Sequence, residues 1–438
     1  MSTTNTGAQS AETLTPPARR AIRGAFVGFF VDSFDIYLPV IALAPAMVYF
    51  FSPEIPASTA AILSAMAFVA TLIGRPLGSI IFGNFADRIG RKRTTVTAVT
   101  GFGVLTLLIG LLPGYQQWGI AAVIVLIVLR LLDGIFLGGE YSAANPLAME
   151  YSPKEKRGFY GGLIQSAASL ALVAISLVTL GLLLVIPAGD INSPYVQWGW
   201  RIPFFIGAAM AFALALYYAY FVEESEVWRG SSKAGFPLKE VLSSDNLPSF
   251  LQVFVLMNGF WFLLYALIGN LPVLLPSVIG LSATNVTIVI SIAWFVVSVV
   301  FIGVGALSQR IGRRNTFILT GGISATAGTL FYYLLLNTSA ENLLAVILLS
   351  VITVILVFAP GGLPTVYITE RFRTSIRASA FGLGFSLAII PPSFYAFYQA
   401  VLQNFMPSEY TVLVLVVVGG LLVLIGAVLG PETKEVDF

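Results

Sequence analysis

The chain contains no cysteine and no histidine, and only 10% of its 438 residues are charged. Without cysteine there is no disulfide and no thiolate metal site; without histidine the commonest metal ligand and the usual proton relay near neutral pH are missing. Any proton chemistry must therefore use carboxylates. An ordinary soluble domain carries about a quarter charged residues, whereas 57% hydrophobic content and a mean hydropathy of +0.90 belong to a polytopic membrane protein. The net charge of +2, with basic residues dispersed among short loops, offers no patch for nucleic acid. The first 18 residues are polar and lack an apolar signal core, so the first span is expected to act as its own insertion signal.

What is present is a series of long apolar runs, at about residues 22–50, 58–84, 94–112, 120–147, 158–187, 200–221, 249–278, 283–307, 315–336, 343–367, 377–403 and 410–430. Lipid admits only helices or closed barrels, and runs of this length read as helices. The fold class is thus an all-α membrane protein of twelve transmembrane helices. An even count places both termini on one side. Of the 23 Lys and Arg, all but Arg75, Arg130 and Arg201 fall in the tails or the even-numbered loops, which predicts cytoplasmic termini in a cell membrane. The longest hydrophilic connection follows the sixth span. The expected organisation is a tail (1–20), a six-helix bundle (21–222), a linker (223–248), a second six-helix bundle (249–430) and a tail (431–438).

The halves repeat one another. GNFADRIGRK at 83–92 follows the second span and GALSQRIGRR at 305–314 follows the eighth, an offset of 222. Glu150 precedes Arg157 as Glu370 precedes Arg377, an offset of 220. Two unrelated features at nearly one offset indicate duplication, the signature of transporters whose site lies between repeats near the bilayer midplane.

Against this background FFVDSFDIYL, at 29–38, is anomalous. Asp32 and Asp35 lie roughly 15–20 Å into the first span, near the middle of a hydrocarbon core about 30 Å thick. Three residues apart, they are expected on one helix face. A charged aspartate at that depth costs about 2.5–3.5 kcal/mol, so it must face a cavity, be paired or take up a proton. Arg75 and Arg130 are the only basic residues deep within spans. Arg130 has Asp133 one turn away, and Arg75 is placed in the cytoplasmic half of the second span. The carboxyl-terminal spans hold no charge beyond Arg377 at the edge of the eleventh; their polar groups include Asn258, Trp261, Tyr265 and Asn270, then Ser291 and Trp294, then Tyr395, Tyr398 and Gln399. PGGLP at 360–364 and IIPP at 389–392 mark expected helix bends.

The pattern Gly83, Asp87, Arg88, Gly90, Arg91 and Lys92 resembles the loop motif of the major facilitator superfamily, with a degenerate copy at Arg310, Gly312, Arg313 and Arg314. RPLGSIIFGNFADRIGRK, LLPGY, RLLDGIFLGGEYSAA, EYSPKEKRGFY and WRIPF are similar to its metabolite:proton symporter branch, which is related to sugar porters. Two departures stand out: Gln309 where the first copy has Asp87, and Asp133 where that branch has glutamine. The resemblance implies two pseudo-symmetric six-helix bundles working by alternating access, and packs the first span against the fourth. It implies proton coupling through Asp32, Asp35, Arg130 and Asp133, with Asp35 as the expected proton carrier and Arg130 released when it protonates. It implies a cytoplasmic gate formed by both motif copies, in which Asp87 meets an adjacent helix start. Glu150 with Arg157, and Glu370 with Arg377, complete that gate. Arg75, Gln165, Asn258, Trp261, Tyr265 and Asn270 are the candidate substrate contacts, Gln165 matching a position where sugar-carrying relatives present a glutamine.

The expectation is a functional monomer without cofactor or metal, moving a small polar metabolite, an organic acid, together with protons. Alternatives within the class are a proton-coupled sugar or osmolyte carrier and an uncoupled facilitator. A membrane receptor on the same fold needs an output domain that short tails do not supply, and an intramembrane hydrolase needs a nucleophile with a base or metal.

Overall fold

The computed structural model describes residues 14–52, 55, 57–230 and 237–438, and all regular structure among them is helical. Twelve helices among the described residues are long and apolar enough to cross a membrane. Short 3-10 and π turns included, they are α1 (Pro16–Phe50), α2 (Met66–Ile89), α3 (Arg91–Gly110), α4 (Ala121–Tyr151), α5 (Lys154–Val185) and α6 (Tyr195–Phe221). After the linker come α7 (Leu247–Ile279), α8 (Thr284–Ile311), α9 (Arg313–Leu336), α10 (Leu343–Arg371), α11 (Thr374–Leu402) and α12 (Ser408–Val428).

Several helices run past their apolar cores. α1 begins at Pro16, inside the expected tail, because the Thr15 hydroxyl accepts the Ala18 N–H at 3.3 Å and Pro16 and Pro17 suit a first turn; residues 1–13 of that tail lie outside the described residues. Residues 231–236 of the linker do too, and the rest of it carries the short helices Glu226–Gly230 and Pro237–Val241. The basic motif is not a loop. Helix continues through Asp87 to Ile89, a single glycine turns the chain at φ 115°, and α3 starts at Arg91. Gly312 does the same at φ 95° between α8 and α9. A side chain at either glycine would strain the backbone. In each case a carboxylate from elsewhere caps the new helix: Glu224 accepts the Arg91 and Lys92 N–H groups at 3.0 and 3.2 Å, and Glu432 those of Arg313 and Arg314 at 2.8 and 3.1 Å. Negative charge is favourable at a helix amino terminus.

Packing depends on small residues, as expected where apolar side chains gain little by leaving lipid. Gly74 and Gly78 of α2 lie against the Leu131 and Ile135 carbonyls of α4, while Gly134 and Gly138 of α4 lie against Thr71 and Arg75 of α2. That seam brings the two backbones together and fixes the rotation of α2, and with it the direction of Arg75. α1 packs on α4, α5 and α6; the two halves meet along α5 with α8 and α2 with α11. The expected bends occur. α10 tightens into a 3-10 turn at Ala359–Gly362 and α11 at Leu387–Ile389. α1 also loosens just beyond the aspartates, in a π turn at Leu38–Leu43 that contains Pro39.

Candidate functional site

Between the halves lies a cavity of about 70 Å³. The amino-terminal helices line it with Asp32, Ser33 and Tyr37 of α1, Arg75 of α2 and Gln165 of α5; the carboxyl-terminal helices add Trp261 and Tyr265 of α7, Trp294 of α8 and Phe385 of α11. Arg75 donates to Asp32 Oδ2 at 3.2 Å, with both side chains almost wholly buried. Its guanidinium lies 4.6 Å from the centre of the Tyr141 ring. Asp32 Oδ1 has no hydrogen-bond partner among the described residues. The cavity wall thus carries one ion pair with a free acceptor, in a setting otherwise dominated by aromatic rings.

Asp35 is not on that wall, which corrects the expectation that both aspartates share a face. Three residues on a 3.6-residue helix still leave about 60° between side chains, and here that angle separates two partners. Asp35 accepts the Thr106 hydroxyl at 2.6 Å and Arg130 Nη1 at 3.1 Å, while the same Nη1 reaches Asp133 Oδ2 at 2.9 Å. Arg130 is fully buried behind the cavity, not in it. Two carboxylates face one guanidinium, so the cluster carries an uncompensated negative charge unless one proton is bound. Arg75, expected nearer one membrane face, reaches the level of Asp32 and partners it.

The substrate candidates divide. Arg75, Gln165, Trp261 and Tyr265 line the cavity; Asn258 and Asn270 do not. Asn258 donates to the Phe254 carbonyl of its own helix, and Asn270 to the Tyr265 carbonyl while accepting from Gln399. Of the aromatics and amides expected from the second half, the cavity wall carries the aromatics and neither asparagine. Gln165 bridges the halves, donating to the Gly361 carbonyl freed by the α10 bend at 3.1 Å and accepting from Thr365. Tyr37 and Phe385 escaped the sequence reading because one more aromatic in an apolar span carries no signal. Glu140 escaped although a lone carboxyl in an apolar run is the same signal that drew attention to Asp32.

On the face that carries the linker, hereafter the linker face, the cavity is shut. Asp87 of α2 accepts the first N–H groups of α11, from Ala378 at 3.0 Å and Ser379 at 2.8 Å. Gly83 lets α2 approach Ser379 closely. Gln309, the departure in the second copy, accepts the Gly158 N–H at the start of α5 at 3.1 Å. The neutral amide makes the same kind of contact from the opposite half. The glutamate pairings expected along the chain are exchanged: Glu150 binds Arg91 and, at 2.5 Å, Arg377, whereas Glu370 binds Arg313 at 3.1 Å. Arg157 instead donates to the Val436 carbonyl and lies under the Phe438 ring. These pairs are buried, not exposed, because the halves close over them. Arg88 and Arg310 point to the exterior, Lys92 contributes its backbone N–H, and Arg314 donates to the Ala427 and Val428 carbonyls. Nearer the cavity, the Ser79, Tyr141 and Ser386 hydroxyls form a cluster across the two halves. On the other side Tyr37, Ile268 and Trp294 also line a second space of about 240 Å³ between the outer parts of α1, α5, α7 and α8. The site is therefore closed toward the linker face and continued toward the opposite one.

The comparisons with known proteins agree with this architecture. A family model described as Major Facilitator Superfamily matches residues 25–431. The chain is 28% identical over 432 residues to the shikimate transporter of Escherichia coli K12, covering 93% of this chain and 92% of that one. It is 28% identical over 426 residues to the proline/betaine transporter of the same organism, covering 92% and 82%. The proton:xylose symporter XylE, solved with 6-bromo-6-deoxy-D-glucose, superposes with a TM-score of 0.74 at 16% identity, covering 97% of this chain and 99% of that one, and so shares the fold.

Proposed function

The chain belongs to the major facilitator superfamily and is a multi-pass membrane transporter of metabolites; from that premise we propose that it is a proton symporter for a small organic acid, caught with its cytoplasmic gate closed. The observation that carries the proposal is the Asp32–Arg75 pair on the cavity wall, with one Asp32 oxygen unpartnered. A proton entering from the open side neutralises Asp32 and leaves Arg75 buried without its counter-ion. A substrate carboxylate restores the pairing, and a guanidinium offers it a bidentate fork. Proton and anion are then each favourable only in the presence of the other, which is symport. Asp35, Arg130 and Asp133 lie behind this pair as a second charge cluster through which α1 and α4 sense the change. The linker face is assigned to the cytoplasm because the basic residues gather there. The contacts of Asp87 with Ala378 and Ser379, of Glu150 with Arg377 and of Gln309 with Gly158 would part as the halves rock.

A second reading has support from the aromatic wall. Trp261, Tyr265, Trp294 and Phe385 suit a methylated ammonium, so a zwitterionic osmolyte with a carboxylate for Arg75 also fits. The test is uptake into proteoliposomes with shikimate, glycine betaine and xylose as probes, under an inward proton gradient. Uphill uptake of an acid that is lost in Asp32→Asn while counterflow persists supports the symport reading. Accumulation indifferent to the gradient, or unchanged in Asp32→Asn, Asp35→Asn and the double variant, refutes it. Preference for betaine over shikimate selects the second reading.

A further inference from the structure

Glu140 of α4 is 1% exposed, and neither carboxyl oxygen has a hydrogen-bond partner among the described residues. It sits against Gly28 of α1, in the space a side chain there would fill, with Leu214 of α6 beside it. A bare carboxylate in such a place is costly, and no structural role repays it: Glu140 makes no ion pair, cap or cross-helix bond among the described residues. What it does have is position. Gly24, Gly28 and Asp32 fall on one stripe of α1, each about 6 Å from the next. Tyr218 of α6, buried with an unpartnered hydroxyl, packs on Gly24. Asp32 with its unpartnered Oδ1 is at the other end of the stripe, beside the cavity. Unsatisfied oxygens thus descend turn by turn from the cavity toward the linker face: Asp32, Glu140, Tyr218.

The charge inventory leads to the same residue. In the core of this bundle Asp32, Asp35, Asp133 and Glu140 face only Arg75 and Arg130. Two protons bring the core to neutrality. One belongs with the Asp35, Arg130 and Asp133 cluster; the other with Asp32, Arg75 and Glu140. The titratable and charged groups around Glu140 are Asp32 of α1, Arg75 of α2 and Tyr218 of α6.

We propose that Glu140 is a second proton-carrying carboxyl, taking the proton from Asp32 and passing it toward the linker face beside Tyr218, within the amino-terminal bundle and apart from the substrate route. The inference rests on the proton-symport reading above. In the transfer the O–H bond of Asp32 breaks and one forms on Glu140; Asp32 regains its charge and Arg75 its partner. The Glu140 proton then leaves to water at the linker face, where Arg23 and Tyr217 border a groove between α1 and α6 that also reaches Leu214. The direct route is obstructed by the Ser79, Tyr141 and Ser386 cluster and by the gate below it. A side route lets the proton be discharged on a schedule set by α1, α4 and α6.

The test uses the full chain in two measurements. Infrared difference spectra of the purified protein between acid and alkaline buffer are expected to show a protonated-carboxyl band that Glu140→Gln removes. In proteoliposomes, gradient-driven accumulation of shikimate or glycine betaine, whichever the parent takes up, should fall at least tenfold in Glu140→Gln, with counterflow retained. A Glu140→Gln protein with the parental band and accumulation overturns the relay. If Asp32→Asn still loses accumulation, the relay alone fails; if Asp32→Asn and Asp35→Asn are also silent, proton coupling fails with it. Should Glu140→Gln not fold, Glu140→Asp keeps the acid, and a band that does not shift in that variant overturns the assignment.

Discussion

Asp87→Asn isolates what holds the linker face shut. The carboxylate accepts two N–H groups at the start of α11 and is itself fully buried. An asparagine keeps one acceptor but turns its NH2 toward the second N–H, so one charge-assisted bond becomes neutral and one donor is orphaned. Hydrogen bonds to charged groups contribute about 1.5–3 kcal/mol, and an orphaned buried donor costs about 1–3 kcal/mol. Allowing for relaxation, the closed state should weaken by about 2–3 kcal/mol, which is roughly a 30- to 150-fold shift toward the state open at this face. Gln309→Ala removes two neutral bonds between the halves, one accepted from the Gly158 N–H and one donated to the Lys154 carbonyl, worth about 1 kcal/mol each, so its shift should lie at or below the lower end of that range. The absence of cysteine makes the measurement clean. Ala143 is fully buried among Ala86 and Ala378, between the halves, so Ala143→Cys supplies one thiol that a maleimide reaches only when the face opens. Its alkylation should quicken by tens-fold or more on adding Asp87→Asn and by less on adding Gln309→Ala. Equal rates in all three folded proteins would refute the gate assignment, and the reverse order would refute the reasoning from charge.

Arg75→Lys and Arg130→Lys should separate binding from coupling. Arg75 faces the cavity and Arg130 does not, so ligand-induced thermal stabilisation by the parent's substrate should largely vanish in Arg75→Lys and persist in Arg130→Lys, while gradient-driven uptake fails in both. The tail gives a pH test. Phe438 lies over Arg157 and Arg377, at 3.6 and 3.9 Å from their guanidinium carbons, and Lys154 bonds Asp437 at 2.9 Å, holding that carboxyl below its usual range. Because the folded value is depressed, the tie is present in full above the ordinary aspartate value of 3.8 and is lost as pH falls through the lower, folded value. A nitroxide on the tail should be immobile at neutral pH and low salt, and freer at acid pH, at high salt or in Phe438→Ala; mobility independent of all three contradicts the contact.

The span count was legible because hydropathy over about twenty residues leaves few alternatives, and the repeat because its two features share an offset. The meeting of Asp87 with a helix start was implied by the family resemblance, and the structure makes it at Ala378 and Ser379. Partner choice was not legible. Whether Asp32 or Asp35 meets Arg130 depends on the rotation of α1 against α2 and α4, which rests on contacts far apart in sequence, such as Gly24 with Tyr218 and Gly28 with Glu140. Asn258 and Asn270 misled because an amide in a span can be satisfied by its own backbone. Glu150 and Glu370 misled because sequence neighbours were preferred to the opposite half, where closure of the face supplies Arg377 to Glu150, and Arg313 was passed over for Glu370.

Duplication preserved the gate and not the core. At the repeat offset, Arg91 and Glu150 correspond to Arg313 and Glu370, and both pairs are made. The core charges Asp32, Asp35 and Arg75 correspond at 222 residues to Phe254, Met257 and Val297, while Arg130, Asp133 and Glu140 correspond at 220 to Ser350, Thr353 and Pro360. Not one of the six counterparts is charged. Each pair lies within one bundle and ties together the helix ends that carry the gate contacts, a support that both rocking bundles need at the same face. A proton carrier has no such need. Placing every core carboxyl apart from the gate in one bundle confines the titration to one rigid body, where a proton alters the balance between Asp32 and Arg75 without disturbing the opposing wall. The other bundle is then free to present aromatic rings whose affinity does not vary with protonation. The substrate anion is left as the group that links the two, bound by Arg75 on one side and enclosed by Trp261, Tyr265 and Phe385 on the other, so that closure around it depends on the charge state of the first bundle alone.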